Sequence, residues 1–180
     1  MNKRISRKFF GQNTIEVAKS LLGKFIVRKI GNKVIKAKII EVEAYHGFDD
    51  MASHASRKRT DRNDVMFGNA GVAYVYFVYG MHYMFNIVCG PKDFPAAVLI
   101  RGVEIGGVDN KKTNGPAKLC NILKIDKLLN KEDLIISNTL WLEDGGIELA
   151  LKDIKSSERI GVSYAGESAK LPWRFYIKLS

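Results

Sequence analysis

The sequence predicts an α+β fold, a single α/β domain over residues 1–180 with a mainly antiparallel sheet and short flanking helices. Three observations predict it. The chain has 180 residues, 46% hydrophobic and 27% charged, which is enough for one substantial core and short for two. Its β-branched and aromatic runs follow one another across tight turns, the pattern of an antiparallel meander. Segments with helical spacing are few and brief, and no repeat, linker or low-complexity tract divides the chain.

Asn13 or Thr14 caps a helix over Ile15 to Leu22, in which Ile15, Ala18, Leu21 and Leu22 recur at helical spacing and Gly23 supplies the stop. Lys24 to Ile30 reads as a strand, Gly31-Asn32 as a turn and Val34 to Tyr45 as a second strand, together a hairpin. If the second strand is regular, Ile35, Ala37, Ile39, Glu41, Glu43 and Tyr45 share one face. A face that passes from apolar residues to two carboxylates leaves the core and enters a site. Gly47 to Asn69 is rich in charge with few periodic apolar positions, and at that length it reads as a functional surface loop. Gly68 to Gly71 turns into a strand over Val72 to Tyr79, and Gly80-Met81-His82 reverses the chain into Tyr83 to Cys89. Pro91 to Pro95 breaks the chain before a strand over Ala96 to Val103, which Gly106-Gly107 ends. After a polar loop from Lys111 to Gly115, Pro116 opens a short helix over Ala117 to Leu123. Asp133 to Ile136 and Thr139 to Leu142 read as short strands flanking Ser137-Asn138, and Glu143 to Gly146 as a turn. The last strands are placed at Arg159 to Tyr164 and Trp173 to Lys178, joined across Ala165-Gly166-Glu167 and Pro172.

Charge narrows the function. Lys and Arg number 29 against 19 Asp and Glu, a net charge of +10, and clustered cations displace counterions from phosphates. A polyanionic partner follows, with a merely basic, Lys-rich protein as the plainer alternative. The two cysteines, Cys89 and Cys120, stand in apolar surroundings without CxxC spacing and read as buried thiols of a reducing compartment. The basic N-terminus lacks an apolar region behind it, so no signal peptide is indicated, and no apolar run is long enough for a membrane span. A soluble, cytoplasmic protein is expected, associated with the nucleoid if bacterial.

The residues suited to chemistry gather between Ile39 and Arg101. Glu43, with Glu41 two residues away, is a candidate general base, because paired or desolvated carboxylates do not both titrate at solution values. Strand acids that face solvent or pair with lysines are the plainer reading. Tyr45, Tyr74, Tyr76, Tyr79 and Tyr83 could stack on bases, with Tyr74 and Tyr76 on one face and Tyr79 near the hairpin tip, although tyrosine also fills β cores. His54 is a hydrogen-bonding or surface residue sooner than a metal ligand. With three histidines and two unclustered cysteines no zinc site is expected, and no P-loop, GxGxxG or HExxH motif is present. An enzyme of this composition works with carboxylates, water and cations.

These segments resemble a family. Ile39-Ile-Glu41-Val-Glu43-Ala-Tyr45, Ser53-His54, Met66-Phe67, Tyr74-Val-Tyr76-Phe-Val-Tyr79-Gly80-Met81 and Asn86 are similar to motifs of the alkyladenine (3-methyladenine) DNA glycosylases, the mammalian methylpurine-DNA glycosylase type. So are Val98-Leu99-Ile-Arg101, Gly115-Pro-Ala-Lys-Leu-Cys120, and Arg159-Ile-Gly161-Val through Ala165-Gly-Glu167 to Arg174-Phe-Tyr176. The resemblance runs from Phe9-Phe10 to Tyr176. It implies a curved antiparallel sheet with a protruding β-hairpin that inserts into DNA, and a monofunctional base-excision enzyme that flips alkylated or deaminated purines out of the duplex. On it Glu43 matches the acid that deprotonates the attacking water, and Arg101 the arginine that helps to hold that water and the DNA backbone. Tyr45 and His54 match the pair that sandwiches and hydrogen-bonds the purine, with Tyr76 stacking on its other side. Asn86 matches the side chain that screens the purine edge, and Tyr79 the residue inserted into the duplex. Met66, Tyr74, Leu99, Arg57 and Arg59 complete the expected DNA-binding set.

No cofactor and no metal are expected, the expected partner is double-stranded DNA containing damaged purines, a monomer is expected, and no protein partner is legible in the sequence. The 57–63 loop departs from the family in length and content, Ser163-Tyr164 stands where other residues are expected, and neither end carries an extension, as in a minimal version of the enzyme. No lysine falls among the matched site positions, so an intact abasic site is the expected product. The competing class is a non-catalytic module that stacks bases on its aromatic strands, and a third is an enzyme on another glycosylated substrate. A pure binder has little use for Glu43 beside a phosphate backbone, which favours the glycosylase.

Overall fold

The computed structural model describes residues 3–177. Two short elements precede the first predicted one, strand β1 (Lys3–Arg4) and helix α1 (Arg7–Phe10). Helix α2 (Thr14–Leu21) starts as its sequence dictates, Asn13 Oδ1 accepting from the Ile15 N–H at 2.9 Å, and buries Val17, Ala18 and Leu21. Strands β2 (Phe25–Ile30) and β3 (Lys33–His46) form the predicted hairpin, paired from Phe25↔Lys38 to Ile30↔Lys33. Strands β4 (Ala73–Val78), β5 (His82–Val88) and β6 (Ala96–Glu104) form the predicted meander. Helix α3 (Pro116–Leu123) has Pro116 in its first turn. Strands β7 (Leu140–Asp144), β8 (Ile154–Ser157) and β9 (Arg174–Ile177) follow.

The described strands make one antiparallel sheet ordered β1-β7-β2-β3-β6-β5-β4, from which β9 branches off β3 and carries β8. Helices α2 and α3 cover it, α2 against β3 and β6 and α3 against β5 and β6. Phe10, Leu21, Ile39, Phe85, Ile100 and Leu119, all 0% exposed, belong to one apolar core between sheet and helices. The fold is thus α+β with a mainly antiparallel, curved and open sheet. None of its described helices is long and apolar enough to cross a membrane.

The conditional face of β3 is where sequence and structure part. The pairing of β3 with β6 runs Ile39↔Val103, then Glu41↔Gly102, then Val42↔Ile100, so Ile40 is an extra residue on one strand and Arg101 on the other. Each slip turns the side chains that follow it to the opposite side. Ile35, Ala37 and Ile39 face the core, and so do Val42 and Ala44 beyond the bulge. Glu41, Glu43 and Tyr45 therefore do not share the face of Ile35, Ala37 and Ile39; they lie across the sheet from it. Gly102 fits the slip because a Cβ there would stand 3.2 Å from the Cβ of Glu41.

Other expectations are corrected. Asp133–Ile136 is a turn tied by Asp133, whose Oδ1 accepts from the Ile135 N–H at 3.0 Å and whose carbonyl accepts from Ser137. Glu143 and Asp144 extend β7 rather than turn, and Gly145 and Gly146 follow it outside any strand. Arg159–Tyr164 is not a strand: Arg159 is committed to a buried ion pair, and a 3-10 segment starts at Ser163. The strand of that region is β8, whose Ile154-Lys-Ser-Ser has one apolar residue and so gave no alternation to read. Trp173 precedes β9 and Lys178 lies outside the described residues. The 47–69 loop is anchored rather than freely solvated, with Asp50, Ala52, Asn63 and Val65 buried and a 3-10 turn at Asp64–Phe67.

Candidate active site

A cavity of about 220 Å³ opens between the ends of β3 to β6, the 52–66 loop, the 160–164 segment and the start of α3. Strand β3 contributes Glu43 and Tyr45, β6 Leu99 and Arg101, β5 Asn86, and β4 Tyr74 and Tyr76, while His54 and Met66 come from the loop and Tyr79 from the hairpin tip. The sheet's alternation explains the set, since Glu43↔Leu99, Leu99↔Asn86 and Asn86↔Tyr74 are cross-strand neighbours. Thus ten of the twelve expected site residues meet in one cavity, and Arg57 and Arg59 lie outside its lining.

Glu43 is fully buried. Its Oε2 accepts from the Tyr45 hydroxyl at 2.9 Å and its Oε1 from the Ile160 backbone N–H at 2.8 Å. Arg101 Nη1 stands 3.4 Å from Oε1. Desolvation pushes its pKa above the usual carboxylate range, against the opposing pull of Arg101, the Ile160 N–H and the Tyr45 hydroxyl, while Glu41 adds to the rise. A carboxylate so placed holds a proton more tightly than a solvated one and can take one from water. Glu41 serves differently: its Oε1 accepts from Arg101 Nε at 3.1 Å and Arg174 Nε at 2.7 Å, which fixes Arg101 beside Glu43.

The aromatic wall is closely packed. Tyr74 and Tyr76 have ring centroids 5.0 Å apart, and the His54 ring meets Tyr76 edge-on at 4.7 Å. His54 Nδ1 lies 3.0 Å from the Tyr74 hydroxyl. Although His54 as a residue is exposed, its ring packs against these tyrosines, and desolvation, followed by the charge of Arg62, brings its pKa down to about 4. The imidazole is neutral at physiological pH. Burial pushes the Tyr74 hydroxyl up to about 12 and the Tyr45 hydroxyl well above its ordinary value, so both remain protonated donors. Asn86, 3% exposed, donates its amide N–H to the Tyr74 carbonyl at 3.1 Å, which fixes the orientation of the amide.

At the mouth, Tyr79 and Gly80 have φ of 52° and 66°, and the Met81 N–H donates to the Val78 carbonyl at 3.2 Å. This tight reversal thrusts Tyr79, 87% exposed, and Met81 into solvent. Large apolar side chains held out on a tight reversal are the mark of a surface that meets a partner. In the basic loop Arg57 is exposed, whereas Arg59 is tied to Asp64 at 2.7 Å and lies over the Phe67 ring at 4.7 Å.

Sequence reasoning left out several lining residues. Val78, Met84, Pro116, Val162 and Tyr164 line the cavity, and Ile160 acts there through its backbone. Met84 could have been found, since it pairs directly with Tyr76, itself one of the expected residues. A backbone N–H has no signature in sequence. Among the described residues no three His, Cys, Asp or Glu side chains are grouped to hold a metal ion.

A sequence profile of the family described as Methylpurine-DNA glycosylase (MPG) matches residues 8–180. A protein of Methanocella arvoryzae is 44% identical over 98% of this chain and 93% of its own length. One from Borreliella afzelii is 48% identical over 97% of this chain and 96% of its own, and one from Desulfitobacterium hafniense 41% identical over 98% and 96%. Each of the three is named a candidate 3-methyladenine DNA glycosylase.

Proposed function

The chain belongs to the methylpurine-DNA glycosylase family, and from that premise we propose that its cavity receives one damaged purine flipped from duplex DNA and that Glu43 directs water onto C1′. It is a DNA glycosylase, a hydrolase of DNA repair. The proposal concerns substrate, mechanism and assembly: alkylated or deaminated purines of the 3-methyladenine, 7-methylguanine, hypoxanthine and ethenoadenine class, released to leave an abasic site by a monomer formed of one domain.

The observation that carries the reading is Glu43, fully buried at the base of an aromatic cavity with Arg101 at 3.4 Å. Cleavage of an N-glycosidic bond builds positive charge on the sugar, which a carboxylate stabilises while taking a proton from the attacking water. Arg101, held by Glu41, serves the water or the adjacent phosphate without quenching Glu43. Tyr45, His54 and Tyr76 enclose the flipped base, and neutral His54 does not repel a cationic alkylated purine. Asn86 screens the base edge, and Met66, Tyr74 and Leu99 shape the walls. Tyr79 fills the gap left in the duplex; stacking there, worth roughly 1–3 kcal/mol, offsets the few kcal/mol of unstacking. Arg57 and Arg59 approach the phosphates.

The deciding experiment is single-turnover incubation of labelled duplexes carrying one hypoxanthine or one 3-methyladenine, with wild type and Glu43→Gln, followed by alkali. Abasic sites made by wild type and lost in the variant, with DNA binding retained, are expected. Binding without abasic sites on either lesion would make the chain a binder of these lesions rather than their glycosylase.

A further inference from the structure

Arg159 and Asp50 form an ion pair in which both side chains are 0% exposed. The two terminal nitrogens of Arg159 donate to the two Asp50 oxygens at 2.5 and 2.8 Å. They also donate to the carbonyls of Ala44 and Ser168, at 2.9 and 2.8 Å. The guanidinium lies against two rings, its carbon 4.8 Å from the centroid of Tyr45 and 5.1 Å from that of Trp173. Asp50 also accepts from the backbone N–H groups of His46 and Ala52, each at 3.1 Å.

A buried ion pair is a poor means of gaining stability, since well-packed apolar replacements are often as stable or more so. This one even leaves Arg159 Nε buried without a hydrogen-bond partner. Its neighbours supply another reason. Both oxygens of Glu43 are held by groups that Arg159 holds in turn. Tyr45, whose hydroxyl donates to Oε2, rests its ring on the guanidinium; Ile160, whose N–H donates to Oε1, follows Arg159 directly in the chain.

We infer that the Arg159–Asp50 pair is a positioning device for Glu43, setting the Ile160 N–H and the Tyr45 hydroxyl against the two carboxylate oxygens without itself touching substrate. Its effect on rate rests on the reading of Glu43 as general base; its effect on Glu43 itself does not. Loosening the pair releases the Ile160 N–H, a bond that favours the carboxylate, so Glu43 binds its proton more tightly. The other polar groups that face Glu43 are Arg101 of β6, Glu41 of β3, Tyr76 of β4, and Arg174, its cross-strand neighbour on β9.

Arg159→Lys keeps the charge but loses the fork and the flat face, and Asp50→Asn keeps the size but loses the charge. The measurement is the titration of the Glu43 carboxyl by 13C NMR in DNA-free protein, beside single-turnover base release across pH. In both variants the midpoint rises by on the order of one pH unit. The acid limb of the rate profile moves with it, release at neutral pH falls about tenfold and DNA affinity is unchanged. A shifted midpoint with an indifferent rate profile would leave the positioning intact and overturn the general base instead. An unmoved midpoint, with rate lost equally at every pH, overturns the positioning role. Trp173→Leu removes one face of the sandwich and keeps the pair; it decides the matter if the other two do not fold, a smaller upward movement supporting the inference and an unmoved midpoint overturning it.

Discussion

Glu43 meets two demands that oppose each other. The proposed catalysis needs it ionised, and burial makes the ionised form costly. Its folded pKa is raised above the unfolded one, so the folded state is favoured fully below the unfolded value and loses that advantage as pH rises through the folded value. Above that window Glu43→Gln is expected to melt no lower than wild type, and at acid pH the comparison turns towards wild type; calorimetry across pH checks this. The same substitution should cost roughly a hundred- to ten-thousandfold in base release, read by single-turnover kinetics. In wild type, release should climb with pH through the raised Glu43 value and then level. His54, at about 4, should add no inflection between about pH 5 and 8, where an unperturbed histidine would titrate. An inflection there that His54→Asn removes would show an imidazolium at work.

At the scale of elements, the paired slips in β3 and β6 let one strand serve both the core and the cavity. Gly102 is the neighbour that admits the bulge, and a Cβ there would press on Glu41 at 3.2 Å. Gly102→Val, although no part of the cavity lining, should therefore displace Glu41 and with it Arg101, with loss of release on the order of a hundredfold and little change in DNA affinity. The hairpin should behave in the opposite way. Tyr79→Ala leaves the core alone, so unfolding should change within about 0.5 kcal/mol while base release falls roughly tenfold or more; a melting curve and a single-turnover assay together separate the two. The hairpins and the meander were legible because they are runs of β-branched and aromatic residues and their turns carry glycine. The bulge was not, since Ile39-Ile40 offers two apolar residues and nothing local says which one turns inward. Strand β8 was hidden by its polar Lys-Ser-Ser, and Arg159 by a partner 109 residues away. Of the cavity, the side chains of β3 to β6 could be read and the backbone of Ile160 could not.

For the whole molecule, a charge of +10 implies that DNA affinity falls steeply with salt. Arg57 is exposed, so Arg57→Ala should reduce the slope of log affinity against log salt by about 0.9, while Arg59→Ala should reduce it less, because Asp64 already engages that guanidinium; fluorescence anisotropy over a salt series distinguishes them. Charge of this kind was readable from composition, but which arginine is free depends on neighbours that only the fold supplies. The sandwich behind the cavity also has an optical meaning. The chain has two tryptophans, and they occupy unlike places: Trp141 on β7 donates to Glu143 and lies under Arg4, with β2 between its strand and β3. Trp173 faces Arg159 and the edge of His46, one layer behind Tyr45. With Trp141 replaced by Phe, the remaining indole should serve as a built-in lamp: if bases enter and leave the cavity as proposed, its emission should change with each, so that extrusion and chemistry can be timed separately in unlabelled protein.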